Sequence, residues 1–436
     1  MEKICTSEDT REISLTIYNG GFGAVKEVRT VSLNGDETGL VFADVAQLIE
    51  TDSLLVEGLN VLEFNYDYDL VDRDKLLQKY IDKEIWLADR KAGEKKKCRL
   101  LSVEPGGKCV LEDTATKEIY IDTQGEIVLP SLPSGLLVKP ALVWKIAPCI
   151  AETVKVSYLS RGFNWMANYV VELLDNILNI TGWAEIENKS GTTFENARIK
   201  LIAGDVNRIR EYGRYDEVNE YKYVLNAAVE PQAEEKSFFD YHMYTLLRPT
   251  TLKNNQTKQI NIISSYNVPY KKYYQVDEYD EKADVVIEFE NSKDSGLGIP
   301  LPKGTVKLYK LDEDDESLEF IGEDLIDHTP RDESIKLVTG KAFDIAFEYK
   351  ETDKKRINGF EHHCYECTIK NHKEEPVEVH VGHTILGVWE IVSSSHEYIR
   401  KSSNDIEFVV NVPADGEEKV CFEYRIDKRI EITWKK

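Results

Sequence analysis

The chain reads as an all-β protein, and three observations say so. Apolar and polar residues alternate with a period of two along most of its 436 residues. Turn-forming clusters separate those runs, among them Asn19-Gly20-Gly21, Pro105-Gly106-Gly107, Asn188-Lys189-Ser190-Gly191 and Pro413-Ala414-Asp415-Gly416. Helical patterning is confined to 74–80, where Leu76, Leu77 and Tyr80 can face inward behind a capping Asp72 or Asp74. Many short strands joined by regular turns predict multi-domain β-sandwiches of immunoglobulin-like type and a small barrel.

Residues 1–70 open with Ile13-Ser14-Leu15-Thr16-Ile17-Tyr18, an alternating strand, and make part of an N-terminal sandwich that 133–160 would complete. Residues 71–132 hold the helix and five short strands at 84–88, 98–103, 109–112, 118–121 and 126–129. That is what a small SH3-like or Sm-like barrel requires, here inserted into the sandwich. Residues 161–290 predict an immunoglobulin-like sandwich with strands at 179–187, 198–202 and 285–289, in which Trp183 belongs to the core. Residues 291–436 predict a second one that includes 406–412 and closes on 420–426. Asn188-Lys189-Ser190-Gly191 and Asn371-His372-Lys373-Glu374 echo each other: a strand ends at an asparagine, turns through polar residues and re-enters a strand. An asparagine side chain suits such a corner because it can accept a backbone hydrogen bond from the turn.

Composition limits function. The 55 Lys and Arg against 79 Asp and Glu give a net charge of -24, which repels phosphate backbones and anionic lipid, so neither nucleic acid nor membrane is an expected partner. The local exception is the basic stretch around Lys95, Lys96, Lys97 and Arg99, either a solvated hairpin or, with an exposed Trp86, a nucleic-acid face. Seven scattered cysteines do not form a secreted disulfide framework. The polar start MEKICTSEDTREIS and the absence of any apolar run of about eighteen residues predict a cytoplasmic protein.

Several clusters could carry chemistry. His362-His363-Cys364-Tyr365-Glu366-Cys367, with His372 nearby, has the letters of a zinc knuckle. On a strand, however, residues three apart point to opposite faces, and no second Cys-x-x-Cys exists, so no metal site is predicted. The acidic run 312–316 reads as a hairpin tip or a calcium loop without the usual spacing. No nucleophile elbow, His-Glu-x-x-His or phosphate loop occurs, and no cofactor is expected. Asp327-His328-Thr329-Pro330-Arg331 is the most catalytic-looking loop: Asp327 could orient His328 and Arg331 could clamp an anion. The same residues also suit an Asx-type corner. Asp205, Asn207 and Arg208 end the strand from Arg198 and, with His242, complete the set of binding candidates; a buried Asp205–Arg208 ion pair is the structural alternative.

The segment YLSRGFNWMANYVVELLDNILNITGWAEIENKSGTTFENARIKLIAGDVNR from Tyr158 to Arg208 resembles the mucoidy-inhibitor-A-like proteins, bacterial and archaeal proteins whose C-terminal half is a domain of unknown function. IYNGGFGAVKEVRTVSL and LNVLEFNYDYDL in the N-terminal region, Phe238 to Tyr244, Arg248-Pro249, Ile326 to Pro330 and Gly340 to Asp344 extend the resemblance over nearly the whole chain. Two departures stand out. The long coiled coil of many members has no counterpart in 70–140, and the export signal expected of many relatives is missing. The resemblance implies a fold and no reaction. The expected function is a non-enzymatic protein-binding or self-assembling module, suggested by the tyrosines at 212, 215, 221 and 223 and by Tyr266, Tyr270, Tyr273, Tyr274 and Tyr279, since tyrosine is enriched at interfaces. The rival is a hydrolase with Asp327, His328, Arg331 and Asp205 or Arg208 in one cleft.

Overall fold

Alternating burial turns the sequence into sheets. In Ile177–Asn188 every second residue, from Leu178 to Asn188, is buried while its neighbours are half-buried. This leaves Trp183 half-buried on the face opposite Ala184 and Ile186, so it is not the core residue expected. The computed structural model describes residues 2–67, 73–88, 95–104, 108–121, 126–131, 139–204, 206–207, 232–239, 241–312, 314–315 and 317–429. Most are strand, with one α-helix at Arg73–Lys79 and one 3-10 turn at Ser7–Asp9. The chain divides into two compact units: Met1–Asn164 with Glu187–Lys200 and Arg248–Thr257, and Trp165–Ile186 with Leu201–Leu247 and Lys258–Lys436.

In the first unit one sheet runs Glu2–Cys5, Gly39–Ala43, Ala141–Ile146, Val61–Asp67. A second runs Thr10–Tyr18, Phe22–Asn34, Ile150–Arg161, Ile49–Glu57. The strands after residue 139 thus pair with strands before residue 68. Leu15, Ile17, Val25 and Val31 are buried in the second sheet, and Leu40, Phe42 and Trp144 in the first. Arg29, from the second, lies over the Phe42 ring of the first at 3.9 Å. Between these halves of the sandwich sit the helix and five strands, in the order Ile119–Ile121, Cys109–Asp113, Lys95–Val103, Glu84–Ala88, Glu126–Val128. Their own core is Leu77, Tyr80, Ile85, Cys98, Leu100, Cys109 and Leu111. The fifth strand returns to the first, as in SH3-like domains, but among the described residues no pairing closes the sheet into a barrel.

The second unit carries a ten-stranded sheet and a four-stranded one. Its C-terminal part is a sandwich whose four-stranded layer runs Ile345–Ile357, Phe360–Asn371, Glu417–Asp427, Trp389–Ser394. The facing layer contributes the end of Gln256–Val276, then Val377–Thr384, Asp405–Val412 and Tyr398–Arg400. Val379, Val381, Phe408 and Val410 from one layer meet Cys367, Ile369, Val420 and Phe422 from the other. Compared with the immunoglobulin arrangement, Tyr398–Arg400 and Glu417–Asp427, the fifth and last of the seven strands from Ile345 onward, have exchanged layers.

The two asparagine corners are built alike. Asn188 and Asn371 are both buried. Each Nδ2 donates to the carbonyl four residues on and to two carbonyls across the corner: Thr192, Leu252 and Lys253 for Asn188, and Glu375, Val412 and Pro413 for Asn371. Each Oδ1 accepts the amide two residues on, from Ser190 and Lys373. Asn291 repeats the device, donating to Ile299 and Pro330 and accepting from Gly298.

Candidate functional site

The sequence-derived candidates do not gather into one catalytic group. Asp205 and Arg208 lie outside the described residues, as do the tyrosines at 212, 215, 221 and 223. Asn207 is exposed. His242, on Tyr241–Leu246, holds Glu235 Oε1 at 2.8 Å across the hairpin. Asp327 is highly exposed and accepts the His328 amide, while Thr329 Oγ1 donates to the Asp327 carbonyl. Leu301 and Thr329 exchange both backbone hydrogen bonds, His328 Nδ1 accepts the Lys303 amide, and Asn291 holds the Pro330 carbonyl. This loop is a corner pinned by hydrogen bonds to backbone groups. Arg331 lines a shallow hollow with Ser292, Lys293, Asp294 and Asp332; neither Asp327 nor His328 lines it.

Other sequence candidates resolve similarly. Lys97 pairs with Glu84, and Arg99 with Glu112 and Asp82, so carboxylates interrupt the basic stretch beside Trp86. In the acidic run, Asp312 and Asp315 accept the amides of Asp314 and Ser317, as a hairpin tip does. All seven cysteines are free thiols. On Phe360–Asn371, His363, Tyr365 and Cys367 point into the core, while His362, opposite Arg425, turns to the outer face and bonds Glu423. The knuckle residues are therefore split between two faces. Among the described residues no three His, Cys, Asp or Glu side chains converge on a metal position.

The inner half of that string belongs to the polar cluster that stands out. His363 Nδ1 lies 2.6 Å from Glu351 Oε1, and its ring stacks on Tyr424 at 5.0 Å. His383, on Val377–Thr384, faces it from the other layer with a side chain 1% exposed. Its Nδ1 is 3.1 Å from Tyr349 Oη and 3.4 Å from Glu278 Oε2. Tyr365 Oη donates to Glu278 Oε1, and Tyr365, Phe422 and Tyr424 wall the ring. The Nε2 atoms of both histidines are buried without a hydrogen-bond partner. Burial, seconded by His363, pushes His383 down to about 4. Burial likewise raises Tyr349, Tyr365 and Tyr424, the last to about 12, so these hydroxyls keep their protons.

Local backbone features converge at the same level. Register shifts insert Thr352 into the strand on one side and Val392 into the strand on the other. Thr352 falls between the rung of Tyr365 and Phe422 and the rung of Cys364 and Glu423, and Val392 falls one rung on, between Cys364 and Glu423 and His363 and Tyr424. Such bulges re-aim side chains and end pairing. Above the bulges the outer face is a shallow hollow with Thr352, Cys364, Glu366, Ser393, Ser395 and Cys421. The turn after Gln256–Val276 leans on Gly382, where an added methyl would overlap Asp277 Oδ1, and so sets Glu278 beside His383. The zinc-knuckle reading took His363 only as a metal ligand. The signal it passed over was period two: His363, Tyr365 and Cys367 share a face, which puts the histidine inside.

The edges of this sandwich differ in chemistry. The far half of Ile345–Ile357 is exposed and charged, with Asp353, Lys354, Lys355 and Arg356. Trp389–Ser394 ends one layer and Tyr398–Arg400 ends the other, and here Leu386, Val388, Val392, Tyr398 and Ile399 are 41–69% exposed. Of the later tyrosines, Tyr273 and Tyr274 are buried, while Tyr266 and Tyr279 are exposed. No helix of the described residues is long and apolar enough to cross a membrane. No protein-family model matches this chain, and no curated protein matches it.

Proposed function

We propose that this chain is a non-enzymatic, self-associating binding module that joins a second copy through the edge at Tyr398–Arg400. The observation that carries the reading is the make-up of that edge: Glu397, Tyr398, Ile399, Arg400, Lys401 run acidic, apolar, basic on a strand with one unpaired side. An antiparallel two-fold copy centred on Ile399 sets Glu397 opposite Lys401 twice and buries the apolar middle against itself. Exposed Val392 and Leu386 add apolar area nearby. The opposite edge, charged and lysine-bearing, is built to refuse pairing. The pinned Asp327–Arg331 loop and the shallow hollows speak against the hydrolase alternative. Membership of the mucoidy-inhibitor-A-like family goes with this proposal, supported by the motifs from Tyr158 to Arg208.

Mass in solution tests it. Two chains of charge -24 repel, so a copy-to-copy contact strengthens as salt screens them, whereas a contact with a basic partner weakens. The expected result is a dimer that grows with concentration and salt and is lost in Ile399→Lys. A strict monomer up to high concentration, or an oligomer indifferent to Ile399→Lys, would overturn the assignment.

A further inference from the structure

We propose that His383, packed against His363, is an acid-operated release at one end of the C-terminal sandwich, in which proton uptake on its buried Nε2 parts the two layers. The hydrogen-bond network fixes where the protons sit. Glu351 can only accept, so His363 carries its proton on Nδ1 and leaves Nε2 bare. Tyr349 Oη donates to the Gly382 carbonyl at 3.2 Å and so accepts from His383 Nδ1, which leaves that Nε2 bare as well. A bare imidazole nitrogen is tolerable among aromatic rings. A protonated one is a buried charge with an unmet donor.

Each element packed around the pair determines the outcome. Ile345–Ile357 presents Tyr349 and Glu351; Phe360–Asn371 presents Glu361, Tyr365 and Cys367; Glu417–Asp427 presents Tyr424; the turn after Val276 presents Asp277 and Glu278; and Asp405–Val412 sets Ile406 opposite His383. The carboxylates reach the Nδ1 atoms, which already carry protons. Glu361 Oε2, 3.8 Å from His363 Nε2 and held by Lys354 and Lys428 on the carboxylate, is the one acceptor near a bare nitrogen. His383 Nε2 has no hydrogen-bond partner. The protonated ring must therefore find water, and His383 reaches it when the layers separate.

The sign follows from linkage. His383 sits at about 4 in the closed sandwich against an ordinary 6.5, so the open form takes up the proton first. Opening is favoured as pH falls from about 6.5 towards 4, by on the order of 60-fold between pH 7 and 4.5. Cys367, buried in the same core, reports opening, and Cys98, buried in the small five-stranded domain, is an internal reference within the same molecule. We would label the full chain with a dithiodipyridine at pH 7 and 4.5 and read both sites by mass spectrometry. The expected result is a Cys367-to-Cys98 rate ratio that rises tens-fold on acidification and stays within a few-fold in His383→Phe. Should that variant not fold, the ring proton titration of His383 in the unaltered protein decides: a midpoint near 4 supports the release. A midpoint near 6.5, or an undiminished acid response in His383→Phe, would overturn it.

Discussion

Two buried polar clusters, one in each unit, are made of similar groups and finished differently. In the N-terminal sandwich Arg29, 1% exposed, donates to Glu27 Oε2 through Nε and Nη2 and to the Ala43 carbonyl through Nη1, while Tyr158 Oη donates to Glu27 Oε1. Every polar end has a partner. Burial works against the Arg29 charge, yet Glu27 outweighs it and the guanidinium is held above its usual range; burial pushes Cys5 beside it up to about 11. In the C-terminal cluster the Tyr349 and Tyr365 hydroxyls have partners, but His363 Nε2 and His383 Nε2 do not; Tyr273 Oη in the same sandwich is also orphaned, on a phenol that burial raises further above its ordinary value. Trp144 Nε1 is also orphaned in the first unit, but an indole N–H does not titrate in the range where imidazoles do. A saturated cluster fixes a fold. One left open at a titratable atom can respond to its surroundings.

The comparison can be broken most forcefully by opening the closed cluster. Arg29→Ala strands the Glu27 carboxylate and should cost the N-terminal unit about 3–5 kcal/mol in urea unfolding. Replacing both, as Arg29→Met with Glu27→Leu, should recover most of it. Next, Asn188→Ala and Asn371→Ala each remove three donated hydrogen bonds and leave buried carbonyls unmatched, for about 1–3 kcal/mol in the unit concerned. Equal losses would show that satisfied polar groups behave alike in both units, so that the contrast lies in the orphaned nitrogens. Gly382→Ala should displace the Asp277–Glu278 turn at about 1–3 kcal/mol and move the His383 ring resonances. The smallest effect belongs to His380, three residues before His383 on the other face, stacked on Tyr273 and set between Glu407 and Glu378. Burial opposes its charge, but the two carboxylates prevail and its pKa is raised. Its stabilisation is complete below about 6.5 and fades as pH rises through the raised value. His380→Gln should therefore cost on the order of 0.5–1 kcal/mol at pH 5.5 and less at pH 8.5, as thermal midpoints would show.

How much of this was legible in the sequence varies by feature. The five strands of the small domain fell within a few residues of their places because turn residues bracket them. The asparagine corners were readable because corner and side chain are neighbours in the chain. The exchange of the fifth and last strands between layers was not, since pairing partners such as Trp389 and Ile426 are distant in sequence and alternation says nothing about who pairs with whom. Trp183 was misread as core because period two gives two faces without saying which is the better buried. The histidine cluster was missed for a related reason. Glu278, Glu351, His363 and His383 come from four separate segments, and no spacing rule joins them. Asp327 and His328 looked catalytic as letters, but the Asn291 and Leu301 backbone contacts that pin them are long-range.

The two units should answer acid differently. Native-state hydrogen exchange on the whole chain, followed from pH 7.5 to 4.5 and corrected for intrinsic rates, measures both at once. Peptides spanning Val25–Arg29 and Tyr158 should keep their protection, because Glu27 and Arg29 stay paired through this range. Peptides spanning Tyr365–Cys367 and Val381–His383 should lose up to about 2.5 kcal/mol, the part of the gap between 6.5 and about 4 that this pH range spans for one imidazole. Parallel losses in both units, or a C-terminal sandwich as protected at pH 4.5 as at pH 7.5, would contradict that difference.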